Sequence, residues 1–361
     1  GGELPTVYTV DLRQELQEGN RSIFSRKLQE LMTDRLNKGQ QTILFLNRRG
    51  YAGFVSCRSC GEVMKCPHCD VSLSEHKGGR LICHYCGYTQ PMPKLCPKCG
   101  SKYILGFKAG TQQIEEKLKE LYPGVRTLRM DADTTRTKDS YEKILSSFAN
   151  GEADVLIGTQ MIVKGHDFPK VTLVGILAAD LSLNASDYRA GERTFQLLTQ
   201  AVGRAGRGVL PGEAVIQTYQ PDHYAITCAA AQDYESFYQE EILYRELSGY
   251  PPVAHMLAVQ IYGKEEENVK QLALRLTDVV KSNMDFLSGK QKEQSNKKIQ
   301  VLGPAPANIS KINDIYRYVF YVKHAEYDVL VEVKDRLEET LRQWQPRQMS
   351  IQFDFDPVSV L

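Results

Sequence analysis

Apolar residues recur at helical spacing near the start of the chain and then fall in a short continuous run. The first pattern predicts an amphipathic helix over Ser22–Lys38, with Ser22 able to cap its start and Gly39 able to end it. The apolar face of this helix consists of Phe24, Leu28, Leu31 and Met32. The run at Thr42–Leu46 predicts a short strand, after which the chain enters a basic turn with one aromatic, Asn47–Tyr51.

The regular pattern stops between Phe54 and Phe107, where Cys, Gly, Pro and Lys dominate. Beyond this segment, helical and strand patterns alternate. The predicted helices lie near Thr111–Tyr122, Arg136–Asn150 and Ala190–Val202. The predicted strands lie near Val125–Met130, Asp154–Ile157, Thr172–Leu177 and Glu213–Thr218. This alternation predicts a parallel, doubly wound α/β sheet, so we interpret the cysteine-rich segment as an insertion into one α/β domain.

A different pattern begins after about Pro221 and predicts a compact α+β domain. A long helical stretch is expected from Tyr224 to Leu247, and a polar loop from Ser288 to Lys298. Further elements are expected as strands near Leu257–Tyr262, Ile299–Leu302, Tyr318–Val322 and Ser350–Asp354, and as helices near Glu266–Phe286 and Tyr327–Gln343. The predicted α/β domain consists of residues 1–53 and 108–225, and the insertion between them of residues 54–107. The predicted terminal domain consists of residues 226–361.

The overall composition excludes several classes of protein. An apolar fraction of 42% and a charged fraction of 25% are ordinary for a globular chain of 361 residues. No apolar run reaches the roughly eighteen residues of a membrane span. The first residues lack the basic and apolar segments of a secretory signal, so we expect a cytoplasmic protein. Because the chain begins abruptly, one strand before a helix, we expect it to be an internal piece of a longer protein.

Cysteine spacing is the strongest chemical signal in the sequence. Eight of the nine cysteines form four Cys-x-x-Cys pairs, which are Cys57/Cys60, Cys66/Cys69, Cys83/Cys86 and Cys96/Cys99. Each pair presents two thiolates on one side of a tight turn, and two facing pairs complete a tetrahedral Zn²⁺ site. We therefore expect two closed, structural zinc sites. Reduced core cysteines, a redox pair and an iron–sulfur cluster are the alternative interpretations.

Spacing alone leaves three ways to pair these four turns. We prefer the nested pairing, which joins the inner two turns to each other and the outer two to each other, because it brings the entry and exit of the insertion together. With eight thiolates filling two sites, His68, His76 and His84 are expected to be surface or supporting groups rather than ligands. Cys228, alone on an apolar helical face, is expected to be a buried core thiol.

Net charge does not by itself identify a nucleic-acid partner. The whole chain carries +1, and binding requires only a local basic patch. The insertion has seven Lys/Arg against three acidic residues, but each Zn²⁺ with four thiolates carries a charge of −2 and offsets this excess. Tyr85, Tyr88 and Tyr103 are candidates for stacking on bases or for packing. DNA binding and protein docking by the insertion therefore both stay open.

Two segments in the α/β part carry residues suited to phosphate chemistry. Ile157–Pro169 follows a predicted strand and contains Gly-Thr-Gln and Lys-Gly-His-Asp, and Gln200–Gly208, at the end of a predicted helix, reads Gln-Ala-Val-Gly-Arg-Ala-Gly-Arg-Gly. Arg204 and Arg207 would share one helical face, and the glycines between them would allow close approach to another surface. Such a pair can neutralise charge on a phosphoryl group that a neighbouring domain binds.

These two segments resemble motifs V and VI of superfamily 2 helicases, and Asn47–Tyr51 lies where such helicases carry motif IV. The inserted cysteines narrow the resemblance to the PriA family of replication-restart helicases, and Leu302–Pro306 in the terminal domain is also similar. The resemblance runs over essentially the full length of the chain. It implies a RecA-like helicase lobe 2 with a parallel sheet, an inserted double-zinc module with the nested pairing, and a C-terminal α+β domain.

The activity that the resemblance implies is that of a 3′→5′ ATP-dependent DNA helicase. Such a protein recognises abandoned replication forks and helps to reload the replicative helicase. Its cofactors would be two Zn²⁺, with ATP and Mg²⁺ in the full-length protein. Its partners would be forked and single-stranded DNA, the single-stranded DNA-binding protein, and primosome and helicase-loading proteins.

The resemblance also implies roles for individual residues. Arg204 and Arg207 would reach the ATP. The residues that would bind the nucleotide cofactor are Gly165, Asp167, Gln200 and Gly203, and the first two would also couple nucleotide state to the lobe interface. The DNA-contacting residues would be Arg48, Arg49, Tyr51, Thr159, Gln160 and Lys164.

One departure from the family pattern limits what this chain can do. No Gly-x-x-x-x-Gly-Lys-Ser/Thr loop and no acidic magnesium motif occur, since Gly263–Lys264 and Gly289–Lys290 lack the preceding glycine. We therefore expect that the chain does not hydrolyse ATP by itself. A zinc-dependent DNA- or protein-docking module without a motor role is the alternative function, and a metal-dependent redox protein is a more distant one.

Overall fold

The computed structural model describes residues 3–46, 54–105, 110–131, 133–159, 167–282 and 299–358. The chain forms two compact units. The first unit consists of Gly1–Val63, Pro93–Ala185 and Ala190–Tyr238. The second unit consists of Met64–Met92, Ser186–Arg189 and Gln239–Leu361. Each unit thus contains part of the predicted insertion.

The described residues form fifteen strands and ten helices. The strands are β1 (Thr6–Asp11), β2 (Gln41–Phe45), β3 (Ser56–Cys57), β4 (Ser74–His76), β5 (Arg80–Ile82), β6 (Thr89–Pro91), β7 (Ile104–Leu105), β8 (Thr127–Met130), β9 (Val155–Gly158), β10 (Val171–Ile176), β11 (Glu213–Thr218), β12 (His255–Gly263), β13 (Gln300–Ile312), β14 (Ile315–His324) and β15 (Met349–Phe355). The helices are α1 (Leu12–Gln17), α2 (Arg26–Lys38), α3 (Thr111–Leu121), α4 (Lys138–Ala149), α5 (Asp180–Leu183), α6 (Ala190–Val202), α7 (Tyr224–Ala231), α8 (Tyr234–Ser248), α9 (Glu266–Ser282) and α10 (Tyr327–Trp344).

A six-stranded sheet with the order β1-β11-β10-β2-β9-β8 forms the centre of the first unit, and all of its neighbouring strands pair in parallel. Successive strand residues point to opposite faces, so Ile43 packs in a core with α4, α6 and α7, while Leu44 packs in another with α2 and α3. Helices therefore cover both faces, and the predicted doubly wound α/β sheet is confirmed.

The N-cap of helix α2 lies three residues later than the sequence pattern predicts, so the prediction that Ser22 caps it is wrong. Ser25 is the N-cap, and its Oγ accepts a hydrogen bond from the backbone N of Leu28 at 3.2 Å. The Ser25 backbone N also donates to Gln217 Oε1 at 2.7 Å, which ties the start of the helix to the sheet. Ser22 Oγ instead accepts from the N of Phe24, in the turn that precedes the helix.

Replacing Ser25 with alanine is expected to lower the free energy of unfolding by about 1 kcal/mol, because the first turn of α2 loses its side-chain acceptor. The backbone bond to Gln217 is retained in this variant. Urea unfolding of Ser25→Ala beside Ser22→Ala measures the difference. Equal losses for the two variants would contradict the assignment of Ser25 as the cap.

The single long helix predicted from Tyr224 to Leu247 is also wrong, because the chain breaks it into α7 and α8. Gln232 adopts a left-handed backbone conformation with φ of 53° and ends α7. The carboxylate of Asp233 then accepts a hydrogen bond from the backbone N of Ser236 at 3.1 Å, which caps the start of α8. The Asp-x-x-Ser spacing was the available signal for this break.

The second unit contains an antiparallel sheet with the order β13-β14-β12-β15. The core between this sheet and helices α9 and α10 is built from aliphatic and aromatic side chains of both. Strand β13 is far longer than the predicted Ile299–Leu302. Pro304 and Pro306 obscured its pattern, and the structure accommodates them because β13 is an edge strand.

The predicted insertion is divided between the two units. Its middle part, Met64–Met92, carries the three-stranded sheet β4-β5-β6 and belongs to the second unit. Its two ends pair through β3 and β7 within the first unit. None of the helices in the described part of the chain is both long and apolar enough to cross a lipid bilayer.

Candidate zinc centres and arginine pair

The four Cys-x-x-Cys turns share one backbone conformation. In each turn, the residue four positions after the first cysteine donates its N–H to that cysteine's carbonyl oxygen, at 2.8 to 3.1 Å. This residue has a positive φ in every turn, and it is Gly61, Asp70, Gly87 or Gly100. Glycine adopts this conformation without strain, so three of the four positions carry it. The turn directs both sulfur atoms of a pair to one side.

The eight sulfur atoms gather in two groups, within each of which all sulfurs lie within 4.8 Å of one another. The outer cluster consists of Cys57, Cys60, Cys96 and Cys99, and the inner cluster of Cys66, Cys69, Cys83 and Cys86. These are the sets of the nested pairing. The remaining cysteine, Cys228, is buried in the core of the first unit.

The spacing of the sulfur atoms fits a tetrahedral zinc ion. Cys57 and Cys99 lie 3.6 Å apart, as do Cys60 and Cys96, and Cys66 and Cys86. A Zn–S bond of about 2.3 Å requires sulfur atoms about 3.8 Å apart at tetrahedral angles. Disulfide sulfurs would lie about 2.05 Å apart. The two clusters are therefore consistent with two zinc ions, each held by four thiolates.

The outer cluster is anchored to the first unit by contacts with the carboxyl edge of its sheet. Arg13, which follows β1, donates from Nη1 to the carbonyl oxygen of Cys60 at 3.1 Å. A side chain on Gly61 would collide with the carbonyl oxygen of Tyr219, which follows β11. The backbone N of Arg58 donates to the carbonyl of Tyr103 at 3.0 Å. Only a glycine at position 61 allows the first turn of the outer cluster to pack this closely against Tyr219.

The inner cluster is seated in the second unit by a group of tyrosines, which we call the tyrosine cluster: Tyr85, Tyr188, Tyr250 and Tyr321. Tyr85 lies between two ligand cysteines, and its ring meets that of Tyr321 edge-on at 5.0 Å. Tyr188 and Tyr250 stack at 5.0 Å, and Tyr250 Oη donates to the carbonyl oxygen of Cys69 at 2.6 Å. The inner zinc turns thus form part of the second unit's core.

Proximity perturbs the thiols within the inner cluster. Hydrogen bonds from Cys69, Cys83 and Cys86 hold the pKa of Cys66 well below its usual range. The hydrogen bond between Cys69 and Cys66 is also the largest cause of the raised pKa of Cys69. Packing four sulfurs this closely favours a bound cation, which allows all four to ionise.

The histidines of the insertion lie outside the two sulfur clusters. His84 is buried, and burial lowers its pKa to about 4. Its Nε2 lies 3.0 Å from Nε2 of His76, and its Nδ1 lies 3.2 Å from the carbonyl oxygen of Pro306. His84 is therefore not a surface group, and its ring joins the inner zinc turns to strand β13.

The arginine pair lies beyond the helix on which the sequence predicts it. Helix α6 ends at Val202, and Gly206 has a φ of 69°, so Arg204 and Arg207 do not share a helical face. Arg204 is 8% exposed, and burial, followed by the charge of Arg207, lowers its pKa. Arg207 is exposed and donates from Nε to the carbonyl oxygen of Gly203 at 2.7 Å.

Arg207 joins the two phosphate-chemistry segments. Its Nη1 lies 3.2 Å from Oδ1 of Asp167, which the sequence places 40 positions earlier. A Cβ on Gly208 would lie 2.8 Å from the carbonyl oxygen of Pro169, so the backbones of the two segments also meet. At these positions the glycines permit close packing within the unit rather than against another surface.

A cavity of about 540 Å³ opens beside this ion pair. Its lining includes Gly203, Arg207, Phe195, Thr199 and Tyr234. The cationic side chain of Arg207 and the backbone bend that contains Gly203 thus border an open space in the first unit.

The other predicted site residues are placed only in part. Thr159 directly follows β9, and its backbone N donates to the carbonyl of Met130 at 3.3 Å. Gln200 is exposed on the last turn of α6. Six predicted residues lie outside the described ranges, namely Arg48, Arg49, Tyr51, Gln160, Lys164 and Gly165.

Comparison with protein families gives three matches along the chain. The Primosomal protein N C-terminal domain matches residues 246–358, and the PriA DNA helicase Cys-rich region matches residues 66–91. The Helicase conserved C-terminal domain matches residues 95–209. Among curated proteins, the Replication restart protein PriA of Bacillus subtilis is 44% identical over 99% of this chain and 43% of its own length.

The chain belongs to the PriA family. Two further PriA relatives, from Synechocystis and Treponema pallidum, are 42% and 35% identical over 99% and 100% of this chain. The chain spans 42% of the former and 52% of the latter, so it corresponds to about half the length of these proteins or less.

The PriA cysteine-rich match covers the inner cluster only. Cys57 and Cys60 lie before residue 66, while Cys96 and Cys99 lie within the helicase match, which also contains Asp167, Arg204 and Arg207. This division parallels the structure, in which the outer cluster belongs to the first unit and the inner cluster to the second.

Sequence reasoning missed the tyrosine cluster. Tyr85 is buried, which makes it a packing residue rather than a base-stacking one. Its partners Tyr250 and Tyr321 lie more than 160 positions away, and no periodic pattern connects them with the insertion. Tyr188 belongs to a short segment of irregular structure and gave no signal.

Proposed function

We propose that this chain forms the second RecA-like lobe, the zinc-binding insertion and the C-terminal domain of an ATP-dependent 3′→5′ DNA helicase. The complete protein would recognise stalled or abandoned replication forks and promote primosome assembly. The ion pair between Asp167 and Arg207 is the observation that carries the proposal. It joins two motif-like segments at one place on a parallel α/β lobe that matches a helicase family.

The arginine pair would act on a phosphoryl group that another lobe holds. A guanidinium placed against the transferring phosphoryl group stabilises the charge that develops in the transition state. Arg207 is exposed and is already oriented by Asp167 and by the Gly203 carbonyl. Arg204 is buried and desolvated, so its charge would interact strongly with an anion that approaches it.

ATP hydrolysis would require residues that this sequence does not contain. No Gly-x-x-x-x-Gly-Lys-Ser/Thr loop is present in the 361 residues, and such a loop binds the phosphates and helps to hold Mg²⁺. We therefore infer that the chain alone is inactive as an ATPase. Its own contribution would be the arginine pair and the groups that orient it.

The zinc ions would have a structural role. Each cluster offers four thiolates and leaves no ligand position for a water. The outer cluster would attach the insertion to the helicase lobe through Arg13 and Tyr219. The inner cluster would complete the core of the second unit. Single-stranded DNA-binding protein and helicase-loading proteins are the expected protein partners of the complete molecule.

The first test is binding of this chain to forked DNA and to linear duplex of equal length, by fluorescence anisotropy at several salt concentrations. We expect tighter binding to the fork and a steep loss of affinity with salt, because backbone phosphates would supply most of the contacts. Equal affinity for the two DNAs would refute fork recognition by these residues.

A zinc-dependent docking module without a motor role is the second candidate. The burial of the inner zinc turns against the second unit's tyrosines favours it, since a rigid zinc-stapled domain suits docking. Absence of DNA binding in the same experiment, with normal ATP turnover after Arg207→Ala in the full-length protein, would support this candidate over the helicase.

A further inference from the structure

A second cavity lies in the first unit beside the outer zinc cluster. It has a volume of about 350 Å³ and is lined in part by Arg21, Arg58, Tyr103 and Tyr219, so we call it the Tyr103 cavity. Its size falls within the range of small-ligand sites. No zinc-cluster cysteine and neither arginine of the Arg204/Arg207 pair lines it, but Tyr103, a candidate for base stacking or packing from the sequence, does.

The Tyr103 cavity lies at the carboxyl edge of the six-stranded sheet. Tyr219 directly follows β11, and Leu12, which also lines the cavity, directly follows β1. Thr159, a proposed DNA contact, directly follows β9 at the same edge. Strands β9 and β11 are three positions apart in the sheet, which corresponds to about 14 Å at the usual strand spacing. One extended strand of DNA could therefore reach both places.

Tyr103 contributes a partly exposed aromatic ring to the lining of this cavity. Its side chain is 43% exposed, and Nζ of Lys102 lies 5.7 Å from its ring centre. The backbone is fixed on both sides, because the Tyr103 carbonyl accepts from the N of Arg58 and its N donates to Oγ of Ser101 at 3.1 Å. Because this backbone is already fixed, only the side chain has to be ordered when a ligand stacks on the ring.

Arginine side chains help to line this cavity, and the carboxylate of its acidic lining residue is paired. Arg58 and Tyr219 both line the cavity; burial raises the pKa of Tyr219, and the charge of Arg58 opposes that shift. Glu15, which also lines the cavity, accepts from Arg26 Nε at 2.8 Å and from Asn20 Nδ2 at 3.1 Å. Arg21 and Arg58 against the single paired carboxylate of Glu15 give the lining a positive charge, which favours an anion beside the aromatic ring.

We propose that the Tyr103 cavity binds one nucleotide of single-stranded DNA, with the base stacked on Tyr103 and the adjacent phosphate beside Arg58. This inference rests on the proposed helicase function and extends it to a specific contact. An exposed aromatic ring with neighbouring cations is the arrangement that binds single strands without sequence preference. An acidic peptide has related chemistry, but the alignment of the cavity with Thr159 along the sheet edge favours DNA.

The test measures binding of this chain to a fluorescein-labelled oligodeoxythymidine of about 20 nucleotides, at low salt. Tyr103→Ala is expected to weaken binding about tenfold, because one stacked base is lost. Tyr103→Phe retains the ring and is expected to bind as the unchanged chain does. Tyr238→Ala is the matched control, since Tyr238 is 52% exposed on α8 and is outside this cavity. Zinc content and thermal unfolding confirm that each variant folds.

Three results would overturn the proposal. The first is a Tyr103→Ala variant that binds the oligonucleotide as tightly as the unchanged chain, and the second is no binding by the unchanged chain. The third is a variant that loses affinity for a glutamate-rich peptide but not for the oligonucleotide, which would make the cavity a peptide site. The forked-DNA experiment tests the helicase function separately, because fork preference does not depend on Tyr103 alone. The proposal for the Tyr103 cavity can therefore be refuted while the proposed helicase function is retained.

Discussion

Replacing Arg204 with alanine in a full-length PriA-family helicase that carries this chain is expected to lower the rate of ATP turnover about a thousandfold. An arginine that neutralises the transferring phosphoryl group contributes at least this much in related phosphoryl-transfer enzymes. Arg204 is buried close to Arg207 and Asp167, so its charge is weakly screened. DNA-stimulated ATP hydrolysis at saturating ATP measures the effect.

Burial of Arg204 makes a control for folding necessary. Arg342→Ala removes an exposed arginine from α10 in the second unit and is expected to leave ATP turnover unchanged. Arg204→Lys retains a positive charge without the planar guanidinium and is expected to fold while remaining strongly impaired. A well-folded Arg204→Ala variant with normal turnover would exclude Arg204 from the reaction.

Substituting Cys83 with serine is expected to lower the zinc content from two ions per chain to one and to unfold the inner zinc turns. Structural zinc contributes on the order of 10 kcal/mol to the folding of a small domain, far more than the short strands β4 to β6 can supply. Cys83 is fully buried in the inner cluster and precedes His84 and Tyr85. Elemental analysis counts the zinc, and limited proteolysis within residues 64–92 detects the unfolding.

Two other cysteines provide the controls for this variant. Cys228→Ser is expected to retain two zinc ions, because Cys228 packs in the core of the first unit. Cys96→Ser is expected to lose one zinc while the segment 64–92 stays resistant to protease, because that segment packs in the second unit. Retention of two zinc ions by Cys83→Ser, or cleavage within residues 64–92 in Cys96→Ser, would contradict the independence of the two clusters.

Local patterns predicted most of the helices and strands of the first unit. The helix at Ala190–Val202 and the strand at Glu213–Thr218 were predicted at the observed bounds, because their apolar positions follow one period from end to end. The error at the start of α2 occurred where a contact distant in sequence helped to decide the boundary. Ser25 caps α2 because its backbone also bonds to Gln217, 192 positions away.

The sequence by itself determined the ligand chemistry of the zinc sites, because a Cys-x-x-Cys turn with a following glycine forms from local backbone geometry. It also determined the parallel α/β sheet, whose alternating apolar runs are local. Only the tertiary structure decided which cysteine turns share a cluster and in which unit each cluster lies. The ion pair between Asp167 and Arg207, the tyrosine cluster and the Tyr103 cavity likewise depend on it. These features join residues from 40 to more than 200 positions apart, and contacts over such distances depend on packing that no local period records.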